Sequence, residues 1–245
     1  MTNEIKKDRV WIKGQTLTSA QIAEKRENDT ISLTVGFMGS MLGVWLIRML
    51  NIKLVSFLPI AVRAPLVMIL YWLVALIPIM VIKHDKLPLK AMGFEKKSLL
   101  KQILLGIGLG LGTSLLLTGI PFFAGFGRMV SSQNLYTQPW QFAYEFAYCI
   151  LAVGAAEELV FRGFVYSKLK TLFERDLYAS IGSSLLFGLF HVFNGNILQV
   201  LITTLIGILY CTFKNKIKGC TLLTLIICHG VYDAMISVWT AYMAG

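Results

Sequence analysis

The sequence predicts an all-α fold, a polytopic membrane bundle of about seven transmembrane helices. Three observations support this class. Of the 245 residues, 56% are hydrophobic and only 15% are charged, whereas soluble domains are about 45–50% apolar and about 25% charged. The mean hydropathy is +0.68. Several apolar runs reach about 20 residues, which is the length that crosses the hydrocarbon core of a bilayer.

Seven such runs mark the predicted helices. They lie at 31–49, 64–82, 101–123, 142–167, 178–194, 197–213 and 220–243. Asp29 and Thr30 precede the first run, where an oxygen-bearing side chain commonly caps a helix N-terminus. In the third run, Gly108 and Gly112 form a small-xxx-small pair that allows two helices to pack closely. The fifth and sixth runs are joined by only a short Asn-Gly-Asn link, so they can form a hairpin that stops short of one membrane interface.

The distribution of Lys and Arg predicts the topology. The formal net charge is +10, and excess Lys and Arg in a membrane protein mark cytoplasmic loops. We therefore expect residues 1–30 to form a cytoplasmic N-terminal tail and residues 31–245 to form the membrane domain, with the C-terminus outside. The Lys-rich loops favour a bacterial cell membrane. No basic stripe interleaved with aromatic residues indicates nucleic-acid binding. The basic residues expected inside include Lys83, Lys86, Lys90, Lys168, Lys170, Lys214 and Lys216.

Six ionisable side chains interrupt three of the apolar runs. They are Glu157, Glu158, Arg162, His191, His229 and Asp233. A charged Asp, Lys or Arg at the centre of a membrane helix costs about 2.5–3.5 kcal/mol on insertion scales. These groups must therefore pair with one another, face the protein interior or line a water-filled cavity. We expect them in an active site inside the bundle.

Helical spacing predicts how these groups are arranged. Glu158 and Arg162 are four residues apart on one helix face and can form an ion pair. Glu157 is rotated by about 100° from Glu158 and is free to face a cavity.

The two histidines have helical neighbours of their own. His229 and Asp233 are also four residues apart, so they can hydrogen-bond or present a joint face. Phe187 and His191 share a face, which places an aromatic ring beside the imidazole.

A carboxylate and two imidazoles in a wet cavity are suited to activating water. Glu157 can act as a general base. A histidine can share the same water, or the histidines and a carboxylate can hold a metal ion. A donor aimed at the developing oxyanion would complete the hydrolysis of an amide. Ser183 and Ser184 lack the sequence context of a nucleophile, and the zincin motif HExxH is absent from the sequence.

Three motifs make the sequence resemble a known family. "EELVFR" matches an EExxxR motif, "FGLFH" matches FxxxH, and "HGVYD" matches HxxxN/D. They occur in the family's order, each on its own apolar segment. On these motifs, residues 140–240 resemble the CPBP family, the CAAX-protease and bacteriocin-processing group also called Abi.

The resemblance implies an intramembrane endopeptidase whose catalytic residues are Glu157, Glu158, Arg162, His191, His229 and Asp233. Because the family is described as metalloproteases, the resemblance also implies Zn²⁺ as a possible cofactor. Its candidate ligands are Glu157, His191, His229 and Asp233, and a metal-free glutamate mechanism stays open. Family members often have Asn where this chain has Asp233. An ionised Asp cannot donate to an oxyanion, so Asp233 favours metal ligation or orientation of His229.

The implied substrate is a membrane-associated peptide or protein within the lipid bilayer. Bacterial relatives are linked to peptide maturation, peptide signalling and bacteriocin self-immunity. The alternative is a non-catalytic membrane scaffold or immunity protein that uses the same polar cluster to bind a partner. A small transporter with a proton relay is a further alternative, which the lack of an internal repeat weakens.

Overall fold

A computed structural model describes residues 10–12, 15–127, 136–194 and 196–244. Helices dominate this part of the chain, after one short hairpin of antiparallel strands β1 (Val10–Ile12) and β2 (Gln15–Leu17). The α-helices are α1 (Ser19–Lys53), α2 (Ile60–Leu70), α3 (Leu73–His84), α4 (Leu99–Ser114), α5 (Pro139–Tyr148), α6 (Ala155–Glu158), α7 (Tyr166–Phe173), α8 (Asp176–Phe190), α9 (Ile197–Lys216) and α10 (Leu222–Ala244). Shorter 3₁₀ turns are Val55–Phe57 and His191–Asn194, and π-helical stretches are Leu115–Gly119, Phe122–Phe126, Cys149–Gly154 and Leu159–Val165.

Six helical segments of the described chain are long and apolar enough to cross a membrane, which confirms the helical membrane class. They are Ser19–Phe57, Ile60–His84, Leu99–Phe126, Asp176–Phe193, Ile197–Lys216 and Leu222–Met243. The remaining predicted span, 142–167, lies in the helical segment 139–173. At about 1.5 Å per residue this segment is long enough to cross, but the charges of the EELVFR motif lower its hydropathy. The count of seven spans and the orientation therefore stay predictions.

Helix α1 begins well before the predicted start at residue 31. Thr18 is its N-cap, and Gln21 completes a capping box. The predicted cap at Asp29 is wrong, because Asp29 lies inside the helix and is buried. Residues 19–30 are rich in Ala, Gln, Glu, Lys and Arg, which favour helix over a loosely ordered tail.

Close packing of α4 against α10 depends on two glycines, and the predicted pair was the wrong one. Nothing lies within 4 Å of a Cβ placed at Gly108 or Gly112. By contrast, a Cβ on Gly110 would lie 2.7 Å from the carbonyl oxygen of Cys228, and Gly106 is equally crowded by α10. The same helix contains both pairs, and only its rotation in the bundle decides which pair faces a neighbour.

The segment that carries the EELVFR motif is an irregular helix at the centre of the bundle. Two π-helical stretches, Cys149–Gly154 and Leu159–Val165, flank the four-residue α6. In such wide turns the backbone N–H groups bond to carbonyls five residues earlier. The carbonyl of Phe161 accepts from the backbone N–H of Tyr166 and also accepts a hydrogen bond of 2.7 Å from the Ser183 hydroxyl on α8. Neighbouring helices thereby hold the distorted turns that present the two glutamates.

Candidate active site

A cavity of about 530 Å³ opens between α1, the irregular segment, α8, α9 and α10. Its volume is within the range of about 300–1,000 Å³ that is typical of small-molecule sites. Four of the six predicted site residues line it, namely Glu157, His191, His229 and Asp233. Three separate helical segments therefore bring these side chains into one cavity.

Glu158 and Arg162 do not line the cavity and lie behind its wall. Both side chains are fully buried, and they form the predicted ion pair, with Arg162 Nη1 2.8 Å from Glu158 Oε1. The guanidinium carbon lies 4.2 Å from the ring centroid of Phe187 and 5.3 Å from that of Tyr210. The pair is thus enclosed by aromatic rings, and this position favours a stabilising role over direct contact with a substrate.

His229 lies between three carboxylates. Its Nδ1 is 2.8 Å from Glu158 Oε1. Because Glu158 is paired with Arg162 and can only accept, Nδ1 is the donor in this hydrogen bond. The Nε2 atom lies 3.3 Å from Asp233 Oδ2, as the spacing of these two residues predicted, and 3.8 Å from Glu157 Oε2. The imidazole is therefore fixed on one side and faces the cavity carboxylates on the other.

Tyr71 is a site residue that the sequence did not identify. It follows α2, lines the cavity, and donates a hydrogen bond from its hydroxyl to Glu157 Oε1. The other carboxylate oxygen, Glu157 Oε2, is buried and has no hydrogen-bond partner among the described residues. The available signal was a tyrosine in the middle of a predicted span, away from the interfaces where tyrosines usually concentrate.

His191 lies at the end of α8, where the helix tightens into a 3₁₀ turn. Its Nδ1 is 2.9 Å from the carbonyl oxygen of Phe187. A carbonyl can only accept, so Nδ1 carries the proton and Nε2 is left as an acceptor when the imidazole is neutral. The ring also makes an edge contact with Phe187 at 4.9 Å, as their spacing predicted.

The donor set does not form a metal site as it stands. In the described ranges, no group of three His, Cys, Asp or Glu side chains is arranged to hold a metal ion. Glu158 engages only Nδ1 of His229, and a backbone carbonyl engages only Nδ1 of His191, so Nε2 of each histidine stays available. Such hydrogen bonds also orient histidines that bind metals, so Zn²⁺ stays a prediction and no chemical step is assigned to a metal.

Other nucleophiles are engaged elsewhere. Ser183 donates to the carbonyl of Phe161, and Ser184 donates to that of Ser180 at 2.7 Å. Neither serine lines the cavity. The four cysteines are buried and unpaired in disulfides, as expected for small apolar side chains in helices: Cys149, Cys211, Cys220 and Cys228.

The fold and the cavity define a polytopic membrane protein with an enclosed carboxylate and imidazole site. The Rce1-like family model, described as type II CAAX prenyl endopeptidase Rce1-like, matches residues 139–235. The match contains all three motifs, so residues 139–235 are similar to the CAAX-protease family, as the motifs predicted. This similarity supports a CAAX-type intramembrane protease. No curated protein and no solved structure matches the chain.

Proposed function

We propose that this protein is an endopeptidase that hydrolyses a peptide bond in a membrane-associated peptide or protein, using water activated by Glu157 and His191. The observation that carries the proposal is the state of the Glu157 carboxylate. Tyr71 holds one of its oxygens, and the other is buried without a hydrogen-bond partner in the described chain. A buried acceptor in a cavity that also contains two histidines is suited to binding the attacking water.

The water can donate one hydrogen bond to Glu157 Oε2 and the other to His191 Nε2. Its lone pair is then free to attack the carbonyl carbon of the substrate. As the new carbon–oxygen bond forms, Glu157 takes one proton from the water. It passes this proton to the departing amine nitrogen when the carbon–nitrogen bond breaks, so the carboxylate is regenerated.

His229 is proposed to stabilise the negative oxygen of the tetrahedral intermediate. An imidazolium with Glu158, Asp233 and Glu157 around it is balanced by their charges, and its Nε2–H can donate into the cavity. An ionised Asp233 cannot donate to the oxyanion itself. Its proposed role is therefore to orient His229, whose Nε2 lies 3.3 Å from Asp233 Oδ2. In this mechanism a histidine supplies the donor that an Asn in the other form of the motif could supply.

We propose a bacterial role in peptide maturation, peptide signalling or bacteriocin self-immunity, with the N-terminus in the cytoplasm. The family description names a prenyl endopeptidase of CAAX proteins. Prenylated CAAX proteins belong to eukaryotes, however, and the Lys-rich loops of this chain favour a bacterium. The proposed substrate is therefore a membrane-associated peptide or protein in general.

The test uses the full-length protein in lipid nanodiscs and a peptide library made from a tryptic digest of bacterial membranes. Mass spectrometry would detect new peptide termini. We expect cleavage by the wild-type protein, none by Glu157→Gln, and no change with 1,10-phenanthroline. Cleavage that phenanthroline stops and Zn²⁺ restores would overturn the metal-free mechanism. Equal behaviour of wild-type protein and Glu157→Gln would overturn the endopeptidase and favour the non-catalytic scaffold.

A further inference from the structure

The cavity has a second set of polar residues that the proposed hydrolysis does not use. Arg48 and Asn51 lie one turn apart near the end of α1, and Gln199 and Thr203 share a face near the start of α9. This set contains one cation and three neutral groups. The first set consists of the residues used in the proposed hydrolysis, and it contains both acidic residues of the cavity lining. Tyr71 donates a hydrogen bond to Glu157, and His229 lies beside Asp233.

The charge of Arg48 is not neutralised within the described chain. Its Nη1 donates to the backbone carbonyl of Phe193, and no described carboxylate lies within ion-pair distance of the guanidinium. A guanidinium has five N–H donors, so most of its hydrogen-bonding capacity remains available. The residue is also exposed. A cation of this kind on the wall of a reaction cavity is ready to bind an anion.

The contact with Phe193 places Arg48 close to the reaction centre. Phe193 lies two residues beyond His191, in the same 3₁₀ turn, and it also lines the cavity. An anion held by Arg48 would therefore stand near the imidazole that is proposed to bind the attacking water. The amides of Asn51 and Gln199 can add further hydrogen bonds to the same ligand.

We infer that Arg48 is a specificity residue that binds a carboxylate of the substrate in this cavity. This inference rests on the proposed function, because it takes the bound molecule to be the substrate. Arg forms planar, two-pronged hydrogen bonds with carboxylates. The carboxylates of the first set repel the same group, so a substrate that carries one is held in a single direction. The carboxylate can be the free C-terminus of a peptide or an acidic side chain near the bond that is cut.

The test is a binding measurement, so it does not depend on cleavage. Three probes share one apolar chain: N-decanoyl-Leu-Val-Leu with a free C-terminus, its C-terminal amide, and N-decanoyl-Leu-Val-Glu amide. Equilibrium dialysis would measure their binding to the full-length protein in nanodiscs of zwitterionic lipid, with mass spectrometry checking that each probe stays intact. The variants are Arg48→Gln, Arg48→Lys and, as a matched control, Arg63→Gln. Arg63 donates to the backbone carbonyl of Ser56 and does not line the cavity.

We expect at least one carboxylate probe to bind wild-type protein about tenfold more tightly than the neutral amide. This preference should fall close to one in Arg48→Gln, be intermediate in Arg48→Lys, and persist in Arg63→Gln. Preference for the free acid identifies a C-terminus as the ligand, and preference for the glutamyl amide identifies an acidic side chain. Equal binding of all probes to wild-type protein overturns the inference. A preference that survives in Arg48→Gln also overturns the inference. If that variant has lost only its co-purified phospholipid, Arg48 binds lipid headgroups and not the substrate.

Discussion

Two clusters of charged side chains, each centred on buried residues, differ in how completely they are paired. The Lys168 cluster consists of Lys25, Asp29, Asp85 and Lys168 and joins α1, α7 and the end of α3. Lys168 Nζ lies 2.7 Å from Asp29 Oδ1 and 2.6 Å from Asp85 Oδ2. The remaining oxygens pair with Lys25 at 2.7 Å and with His84 at 3.0 Å. Every carboxylate oxygen of this cluster thus has a partner.

The Glu157 cluster, made of Glu157, Glu158, Arg162, His229 and Asp233, is incompletely paired. One oxygen of each glutamate, together with Nε and Nη2 of Arg162, is buried without a hydrogen-bond partner in the described chain. Unsatisfied buried polar atoms are costly, and sites of chemistry are where such a cost is commonly retained. We therefore expect the Lys168 cluster to stabilise the fold, and the proposed function assigns the reaction to the Glu157 cluster.

The largest expected effect separates the two clusters by activity. Glu157→Gln keeps the size of the side chain but removes the base, so cleavage should fall by about 10²–10⁴-fold with unchanged thermal stability. His191→Ala should be severe as well, and the double variant should be little worse than either, because the groups act on one water. The measurement is the initial rate of peptide cleavage in nanodiscs. Near-normal cleavage by Glu157→Gln would remove Glu157 from the chemistry.

Arg162→Ala tests whether the hidden part of the Glu157 cluster is structural. It removes the cation paired with the buried Glu158 carboxylate, so the free energy of unfolding should fall by about 3–5 kcal/mol. Thermal unfolding and membrane abundance would measure the loss, with the exposed Arg175→Ala as the matched control. An inactive Arg162→Ala of normal stability would instead place Arg162 in the reaction.

Lys168→Ala should lower stability without affecting the chemistry. It removes the central cation of the Lys168 cluster and leaves Asp29 and Asp85 with weaker partners, at a cost of about 1–3 kcal/mol. Activity per folded molecule should stay at the wild-type level. Lys170→Ala is the control, because Lys170 makes an exposed ion pair with Asp176 and such pairs contribute about 0–1 kcal/mol. Loss of activity in folded Lys168→Ala would contradict the division between the two clusters.

Tyr71→Phe examines the residue that holds Glu157. Without the hydroxyl, Glu157 loses its fixed orientation, and kcat should fall about tenfold while KM is kept, as expected for loss of one hydrogen bond to a charged group. Tyr148→Phe is a matched control, since its ring packs edge-on against Tyr71 at 5.9 Å. An equal loss in both variants would show that the hydrogen bond from the Tyr71 hydroxyl to Glu157 has no special role.

The smallest effect concerns acid stability at the Lys168 cluster. Burial raises the pKa of Asp85, but hydrogen bonds from Lys168, His84 and Ser32 outweigh this and lower the pKa from 3.8 to about 2. The lowered pKa means that the carboxylate stabilises the fold above about pH 4 and that this contribution disappears as the pH falls towards 2. Asp85→Asn should therefore flatten the decline in Tm between pH 4 and pH 2. A slope identical to that of wild-type protein would show that other carboxylates control the acid response.

The membrane class, the approximate spans and the contacts within single helices were predictable from the amino-acid sequence. Glu158 with Arg162, His229 with Asp233, and Phe187 with His191 were predictable because a helix of fixed pitch places residues four apart on one face. The three motifs were readable for the same reason. The catalytic roles, the metal-free mechanism and the topology remain predictions.

The contacts between helices were not predictable in this way. Three side-chain hydrogen bonds join residues that are far apart in the chain. They link Tyr71 with Glu157, Glu158 with His229 Nδ1, and Lys168 with Asp29. The choice of Gly106 and Gly110 over the neighbouring glycine pair belongs to the same class. Hydropathy indicates that a segment is long and apolar enough to cross a membrane, but in a helix that is apolar all round it does not fix rotation about the axis. That rotation is set by packing and by the pairing of the few polar groups in the bundle.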